Sequence, residues 1–132
     1  MTQSGGCQCG EIRYRIRSEP ITLYVCHCRD CQRQSGSAFG MSLVVPESSF
    51  ELLSGSLKTF TVRADSGRTK TCAFCPTCGV RLYNAVRPGR ISVKAGTLDD
   101  VSKLRPEGHG WTSRKQPWVT LPSDVPCYGE EG

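Results

Sequence analysis

This 132-residue sequence predicts a mainly β fold, built of small antiparallel sheets with short helical turns only. Three observations predict it. Apolar and polar residues alternate over short runs, Gly, Pro and Ser separate those runs at close intervals, and no apolar pattern of helical period continues far enough for a long helix. The first run, residues 11–17, alternates Ile12, Tyr14 and Ile16 with Arg13, Arg15 and Arg17, so one strand face is apolar and the other basic. Further strands are expected over residues 23–26, 39–45, 51–53, 57–62, 69–74, 80–83 and 91–95. Ser54-Gly55, Ser66-Gly67 and Pro88-Gly89 supply residues that accept chain reversal between them. One helical turn is expected over residues 28–34 and another over 98–104. Beyond Arg105 the sequence is rich in Pro and Gly, and it reads as an irregular tail packed on the sheet with Trp111 and Trp118 as core plugs.

No linker, repeat or low-complexity stretch divides the chain, so residues 1–132 read as a single domain. A chain of this size buries roughly two-thirds of its unfolded surface, a modest core to which metal cross-links would add. The polar, Gly-rich start is not followed by an apolar leader, and the longest strongly apolar run, about Leu43 to Val45, is far short of the roughly 20 residues of a membrane helix. A soluble, cytoplasmic protein without a membrane partner is expected. The net charge of +5 and the pI of about 8.8 favour an anionic partner. The arginine face of residues 13–17 reads as a solvated edge, since a single-strand nucleic-acid surface would interleave exposed aromatics, and nucleic acid is not the expected partner. The sequence carries no signal for an oligomeric state.

Eight of the nine cysteines fall into three tight sets: Cys7-x-Cys9, Cys26-His27-Cys28-x2-Cys31 and Cys72-x2-Cys75-x2-Cys78. Soft thiolates at such short spacing select zinc, and the ferredoxin-type runs that would hold iron-sulfur clusters are absent. Disulfides are the competing reading, but i, i+2 pairs make poor bridges to one another and nothing directs the chain to an oxidising compartment. Cysteines two apart on an extended strand point to one side, a geometry that Cys7/Cys9 and Cys26/Cys28 fit. In Cys75-Pro76-Thr77-Cys78-Gly79 the thiolates flank a tight turn that Pro76 presets and Gly79 permits.

Two zinc ions per chain follow from this partition. Cys7, Cys9, Cys75 and Cys78 make one closed, structural tetrahedral site. Cys26, Cys28 and Cys31 supply three ligands within six residues and leave a fourth position open, which marks the candidate active centre. Four thiolates around one zinc carry a formal charge of about −2 and three carry about −1, so metal loading reduces the basic excess. Cys72 is the residue on which openness turns. It closes the second site if it folds against that set, yet strand alternation places it on the face opposite Cys75, away from the first site.

The ordered motifs Gly6-Cys7-Gln8-Cys9-Gly10, then Cys26-His27-Cys28-Arg29-Asp30-Cys31 running on to Phe39, then Phe74-Cys75-Pro76-Thr77-Cys78-Gly79 resemble the glutathione-dependent formaldehyde-activating enzyme family, which includes centromere-protein-V-like proteins. The resemblance spans residue 5 to about residue 121. It implies a β-tent fold, a structural zinc on Cys7, Cys9, Cys75 and Cys78, and a catalytic zinc on Cys26, Cys28 and Cys31. It also implies condensation of formaldehyde with glutathione to S-hydroxymethylglutathione, a carbon-sulfur lyase reaction read in reverse, with a related thiol or aldehyde as a variant. A zinc already bound by three thiolates is a weak Lewis acid that suits a soft fourth ligand, such as a substrate sulfur. In one version the three cysteines are ligands only, and in the other they react covalently themselves. A non-catalytic zinc scaffold that binds protein or nucleic acid is the alternative.

Several residues carry weaker expectations. Ser35 and Ser37 could offer donors to a carboxylate of the substrate, although a plain turn is the preferred reading. His27 alternates away from its neighbours and reads as a packing residue behind the ligands. His109, between two glycines, reads as a lone surface histidine, Arg29 and Arg33 as solvated charges, and Cys127 as an isolated thiol.

Overall fold

A computed structural model of the chain describes residues 2–64 and 67–131, so Ser66 of the expected Ser66-Gly67 turn lies outside the described residues. The strands are β1 (Gln3–Gly6), β2 (Arg13–Ile16), β3 (Thr22–Cys26), β4 (Gly40–Pro46), β5 (Phe50–Ser54), β6 (Lys58–Arg63), β7 (Thr69–Phe74), β8 (Arg81–Ala85), β9 (Arg90–Lys94) and β10 (Gly108–Gly110). Among the described residues a single helix, α1 (Arg29–Ser35), follows β3, and short 3-10 turns lie at Glu47–Ser49, Ala95–Thr97 and Thr112–Arg114. The fold is mainly β, as the sequence predicts.

Strands β1, β2 and β5 form an antiparallel sheet in that order, and the others form a second sheet in the order β10-β3-β4-β9-β8-β7-β6. All pairings in the second sheet are antiparallel except β10 on β3, where His109 sits opposite Val25. The core fills the space between the sheets. Ile12, Tyr14 and Ile16 are fully buried there with Leu23, Leu43, Val45, Leu82, Ile91 and Val93. Arg13, Arg15 and Arg17 face outward on ion pairs, the first with Asp99 and the other two with Glu51.

Strand alternation then decides where chemistry can go. On β3, Leu23 and Val25 enter the core, which turns Tyr24 and Cys26 to the other face of the large sheet. On β4 and β9, Leu43, Val45, Ile91 and Val93 enter the core, and Ser42, Ser92 and Lys94 share the face of Tyr24 and Cys26. One face of the large sheet is therefore hydrocarbon, and the other is polar with cysteines at its end.

Four sequence expectations change. Residues 3–6 lack any apolar alternation, yet they form β1, and its glycine has a steric reason: a Cβ at Gly5 would stand 2.4 Å from the Tyr14 hydroxyl. Residues 98–104 do not form a helical turn. Asp100 Oδ1 accepts hydrogen bonds from the backbone N–H and hydroxyl of Ser102, an Asx arrangement that competes with helix, and the 3-10 turn lies earlier at Ala95–Thr97. The tail is not irregular throughout, because β10 adds to the large sheet. Gly108 lets it approach, since a Cβ there would stand 2.6 Å from the Tyr24 ring. Neither tryptophan is a core plug: Trp118 is 71% exposed, and Trp111 is half-buried at φ 55° with Arg114 over its ring.

Candidate active site and metal centres

The first cysteine cluster joins two turns. Cys7-Gln8-Cys9-Gly10 is the reversal between β1 and β2, not an extended strand as the spacing suggests; Gly10 at φ 83° closes it, and its N–H donates to the Cys7 carbonyl at 3.2 Å. The second turn, Cys75 to Gly79, is held by the Gly79 N–H on the Cys75 carbonyl at 2.9 Å, with Gly79 at φ 81°. Thr77 fastens the two together by donating to the Glu11 carboxylate at 3.0 Å. The four Sγ atoms of Cys7, Cys9, Cys75 and Cys78 lie within 4.8 Å of one another.

Their spacing fits a metal ion. Sγ atoms are 3.6 Å apart for Cys7 and Cys9 and 3.8 Å apart for Cys9 and Cys75, against an edge of about 3.8 Å for a tetrahedron with zinc–sulfur bonds of about 2.3 Å. Backbone donors are arranged for thiolate rather than thiol. The Ile12 N–H reaches Cys7 Sγ at 3.2 Å, and those of Thr77 and Cys78 reach Cys75 Sγ at 3.4 and 3.5 Å. The Val80 N–H and contact with Cys9 pull the Cys78 thiol down to about 6.

The second cluster sits where β3 runs into α1. Cys26 ends the strand, and Cys28 is the N-cap of the helix, its Sγ accepting from the Cys31 N–H at 3.3 Å; Cys31 lies one turn inside. Only Cys26 of this set lies in a strand. Gly36 at φ 63° ends the helix, with its N–H on the Gln32 carbonyl. The three Sγ atoms lie within 4.8 Å of one another, and among the described residues no fourth cysteine, histidine or carboxylate joins the set. Hydrogen bonds from Cys26 and Cys31 hold Cys28 down to about 2, and the same contacts with burial push Cys26 up. Contact with Cys26 lowers Cys31, but Cys28 and burial outweigh it and leave Cys31 at about 11. A cation would displace the shared protons, so the donor set suits a soft divalent metal.

Cys72 lies outside both clusters. It is fully buried on β7 opposite Phe60 and Asn84, on the polar face of the sheet, next to Lys70. All nine cysteines are free of disulfides, and Cys127 is an exposed thiol with no partner cysteine.

A pocket of about 280 Å³ opens over the second cluster, with Cys26, Cys28 and Cys31 in its lining. Tyr24, Asn84 and Trp111 also line it, and among the described residues the Tyr24 hydroxyl and Asn84 Oδ1 are buried without hydrogen-bond partners. Burial raises the Tyr24 pKa and keeps the phenol protonated. Lys70 and Asp30 form an ion pair across the pocket, where burial opposes the ammonium charge and the Asp30 carboxylate outweighs it. Arg68, Arg87 and Arg90 stand at the rim, the first two paired with Glu131 at 3.0 and 3.5 Å. A larger cavity of about 630 Å³ lies between residues 2–4 and 99–107 and contains no cysteine.

Of the weaker sequence candidates, His27 is fully buried behind the cluster as expected. His109 is not a lone surface residue: its Nδ1 lies 2.9 Å from His27 Nε2. Ser35 and Ser37 are exposed at the end of α1, where the Ser35 hydroxyl donates to the Gln32 and Phe39 carbonyls. Arg29 turns back onto Gln32 of its own helix, and neither it nor Arg33 lines the pocket. Sequence reasoning missed Tyr24, Asn84, Lys70 and Lys94. The first two alternate with core residues, a signal that was readable; the lysines resemble solvated charges until the sheet is assembled.

A small β fold with two thiolate clusters, each spaced to take a metal ion, defines a cysteine-rich metal-binding scaffold. The chain belongs to the glutathione-dependent formaldehyde-activating enzyme family, whose sequence model matches residues 2–114. The same fold occurs in the crystal structure of a Rhodobacter sphaeroides protein, at a TM-score of 0.58 and 18% identity over 94% of this chain and 98% of that one. The family is associated with enzymes of glutathione-dependent formaldehyde activation.

Proposed function

We propose that the protein adds a glutathione-like thiol to formaldehyde or a related small aldehyde, in the pocket over Cys26, Cys28 and Cys31, as an S-(hydroxymethyl)glutathione synthase would. The observation that carries this reading is the three-cysteine cluster, which among the described residues lacks a fourth protein ligand and opens into a pocket whose lining includes the Tyr24 hydroxyl and Asn84 Oδ1, both without a hydrogen-bond partner among those residues. In this reading Cys26, Cys28 and Cys31 are ligands of one zinc ion, and Cys7, Cys9, Cys75 and Cys78 hold a second, structural one. When bound at the three-cysteine site, zinc would supply positive charge that favours an incoming sulfur as thiolate.

The chain's own residues account for the rest. Arg90, Arg87 and Arg68 at the rim draw in an anionic thiol. Asn84 Oδ1 accepts an N–H of its peptide portion, and Trp111 offers a flat wall beside it. The substrate sulfur forms a bond to the aldehyde carbon, the carbon–oxygen π bond opens, and the oxygen takes up the proton that the thiol released. Tyr24, a phenol at neutral pH, donates a hydrogen bond to the oxygen as its charge develops. Holding two reactants side by side accounts for much of the acceleration.

The test is the rate of hydroxymethyl-thiol formation from glutathione and formaldehyde, with and without fully metallated protein. A rate above the spontaneous one, lost in Cys31→Ala and reduced in Tyr24→Phe, is expected. No gain over the spontaneous reaction would leave the family scaffold without this activity.

A further inference from the structure

We propose that Gln34, Arg81 and Lys94 form a binding site for a carboxylate of the thiol substrate, in a cavity beside the Cys31 turn whose lining is separate from that of the rim arginines. The inference rests on the thiol-handling reading above and names where such a substrate is gripped.

Three buried donor atoms share one cavity and lack an acceptor. Gln34 Nε2, Arg81 Nη1 and Lys94 Nζ are each buried without a hydrogen-bond partner among the described residues, and all three residues line a second cavity of about 450 Å³. Two of them converge closely. A Cβ placed on Gly40 would stand 3.1 Å from Gln34 Nε2, 3.2 Å from Lys94 Nζ and 3.3 Å from Cys31 Cβ, so both donors and the helix turn carrying Cys31 meet over one glycine. A side chain at position 40 would fill that space.

Charge makes the missing acceptor costly. Burial depresses Lys94 below the ordinary lysine range against the opposing charge of Cys31, and the charges of Lys70 and Arg81 add to the depression. Among the described residues no Asp or Glu lines this cavity, and the negative charge that acts on Lys94 comes from Cys31 and Cys26 outside its lining. Buried cations in that state are expensive unless an anion joins them. An arginine fork, an ammonium and an amide N–H are together complementary to a carboxylate, which accepts on both oxygens and donates nothing.

The position points to substrate rather than to a stray ion. Cys31 and Gln34 are three residues apart on α1, so they occupy one face of the helix. Gln34 Nε2 and Lys94 Nζ meet the Cys31 side chain at Gly40, so the proposed site sets the carboxylate beside the helix turn whose cysteine faces the substrate sulfur.

The experiment is calorimetric titration of the metallated protein with glutathione, its diethyl ester, which keeps the sulfur and masks both carboxylates, and S-methylglutathione, which does the reverse. Wild type should bind the free acid about tenfold or more tightly than the ester. Lys94→Met and Arg81→Gln should each erase most of that preference without weakening the ester, and Lys94→Arg should keep it. A preference that survives both Lys94→Met and Arg81→Gln, or an ester weakened as much as the acid, overturns the carboxylate site. Equal binding of glutathione and S-methylglutathione to wild type refutes the thiol reading instead, and a loss of S-methylglutathione binding in Lys94→Met then still supports the site. Metal content and far-ultraviolet circular dichroism establish that each variant is folded.

Discussion

His27 Nε2 and His109 Nδ1 lie 2.9 Å apart, joining the segment between Cys26 and Cys28 to the middle of β10. The rings stack with centroids 5.2 Å apart, and His27 also packs on Phe39 at 5.5 Å. The C-terminal strand is thereby fixed to the cysteine cluster across 82 residues of sequence.

His109→Ala should therefore act on the cluster without touching a cysteine. It strands a ring nitrogen of fully buried His27, a loss of about 1–3 kcal/mol for a buried group left without its partner. Thermal melts should show the loss, and metal release from the three-cysteine cluster to a chelator should be faster. A variant with the wild-type melting temperature and release rate would show that the histidine contact contributes nothing to the site.

Cys72→Ala separates the open cluster from a closed one. Cys72 lies outside the set whose sulfurs come within 4.8 Å, so the variant should retain the full metal content of wild type, whereas Cys31→Ala should lose about one ion per chain. Elemental analysis reads both. Loss of an ion in Cys72→Ala would make Cys72 a fourth ligand and leave no position for a substrate sulfur.

Removing metal from the first cluster should loosen the fold more than removing it from the second. The first cluster bridges the β1–β2 turn and the Cys75–Gly79 turn, which are 66 residues apart between Cys9 and Cys75, and Cys75 itself is fully buried in the core. Cys75→Ala takes away a ligand and a core side chain together. A drop in melting temperature of roughly 10 °C or more is expected, given that a domain of this size loses a few degrees for each kcal/mol. Cys26→Ala should cost less stability while abolishing activity. The reverse order would exchange the structural and catalytic roles proposed for the clusters.

The cysteine clusters were legible because ligand spacing is a local property written in the chain. Cys75-Pro76-Thr77-Cys78-Gly79 declares its turn with its own residues. The alternation of Ile12, Tyr14 and Ile16 with arginines likewise declared β2, since burial follows directly from a period of two. What was illegible depends on partners far along the chain. β1 has no side-chain signal, and it exists because β2 offers it a ladder and Tyr14 leaves room only for glycine at Gly5. The parallel placement of β10, the His27–His109 contact and the buried donors of Arg81 and Lys94 require the assembled sheet. Trp118 misled because a large aromatic in a Pro-rich tail suggests an anchor, whereas its N–H is satisfied locally by Gln116 at 2.6 Å and the ring stays in solvent.

Tyr14 gives the fold a sensitivity to alkali. Its hydroxyl lies 2.7 Å from Thr97 Oγ1, and the Thr97 proton already goes to the Lys94 carbonyl at 2.7 Å, so Tyr14 must be the donor. Burial pushes its pKa up from 10.0 to about 12. The folded state then holds a proton that the unfolded chain gives up sooner. The stability from this group is complete below about pH 10 and is lost as pH rises through about 12. Tyr83 and Tyr24, also raised by burial, act in the same direction. Tyr14→Phe should be slightly less stable at neutral pH, where it lacks the bond to Thr97, and its melting temperature should fall less steeply than that of wild type between about pH 10 and 12. Tyrosinate absorbance followed through the same titration should lose its latest-titrating component in the variant. Parallel declines in the two proteins would show that the Tyr14 proton is not what alkali removes.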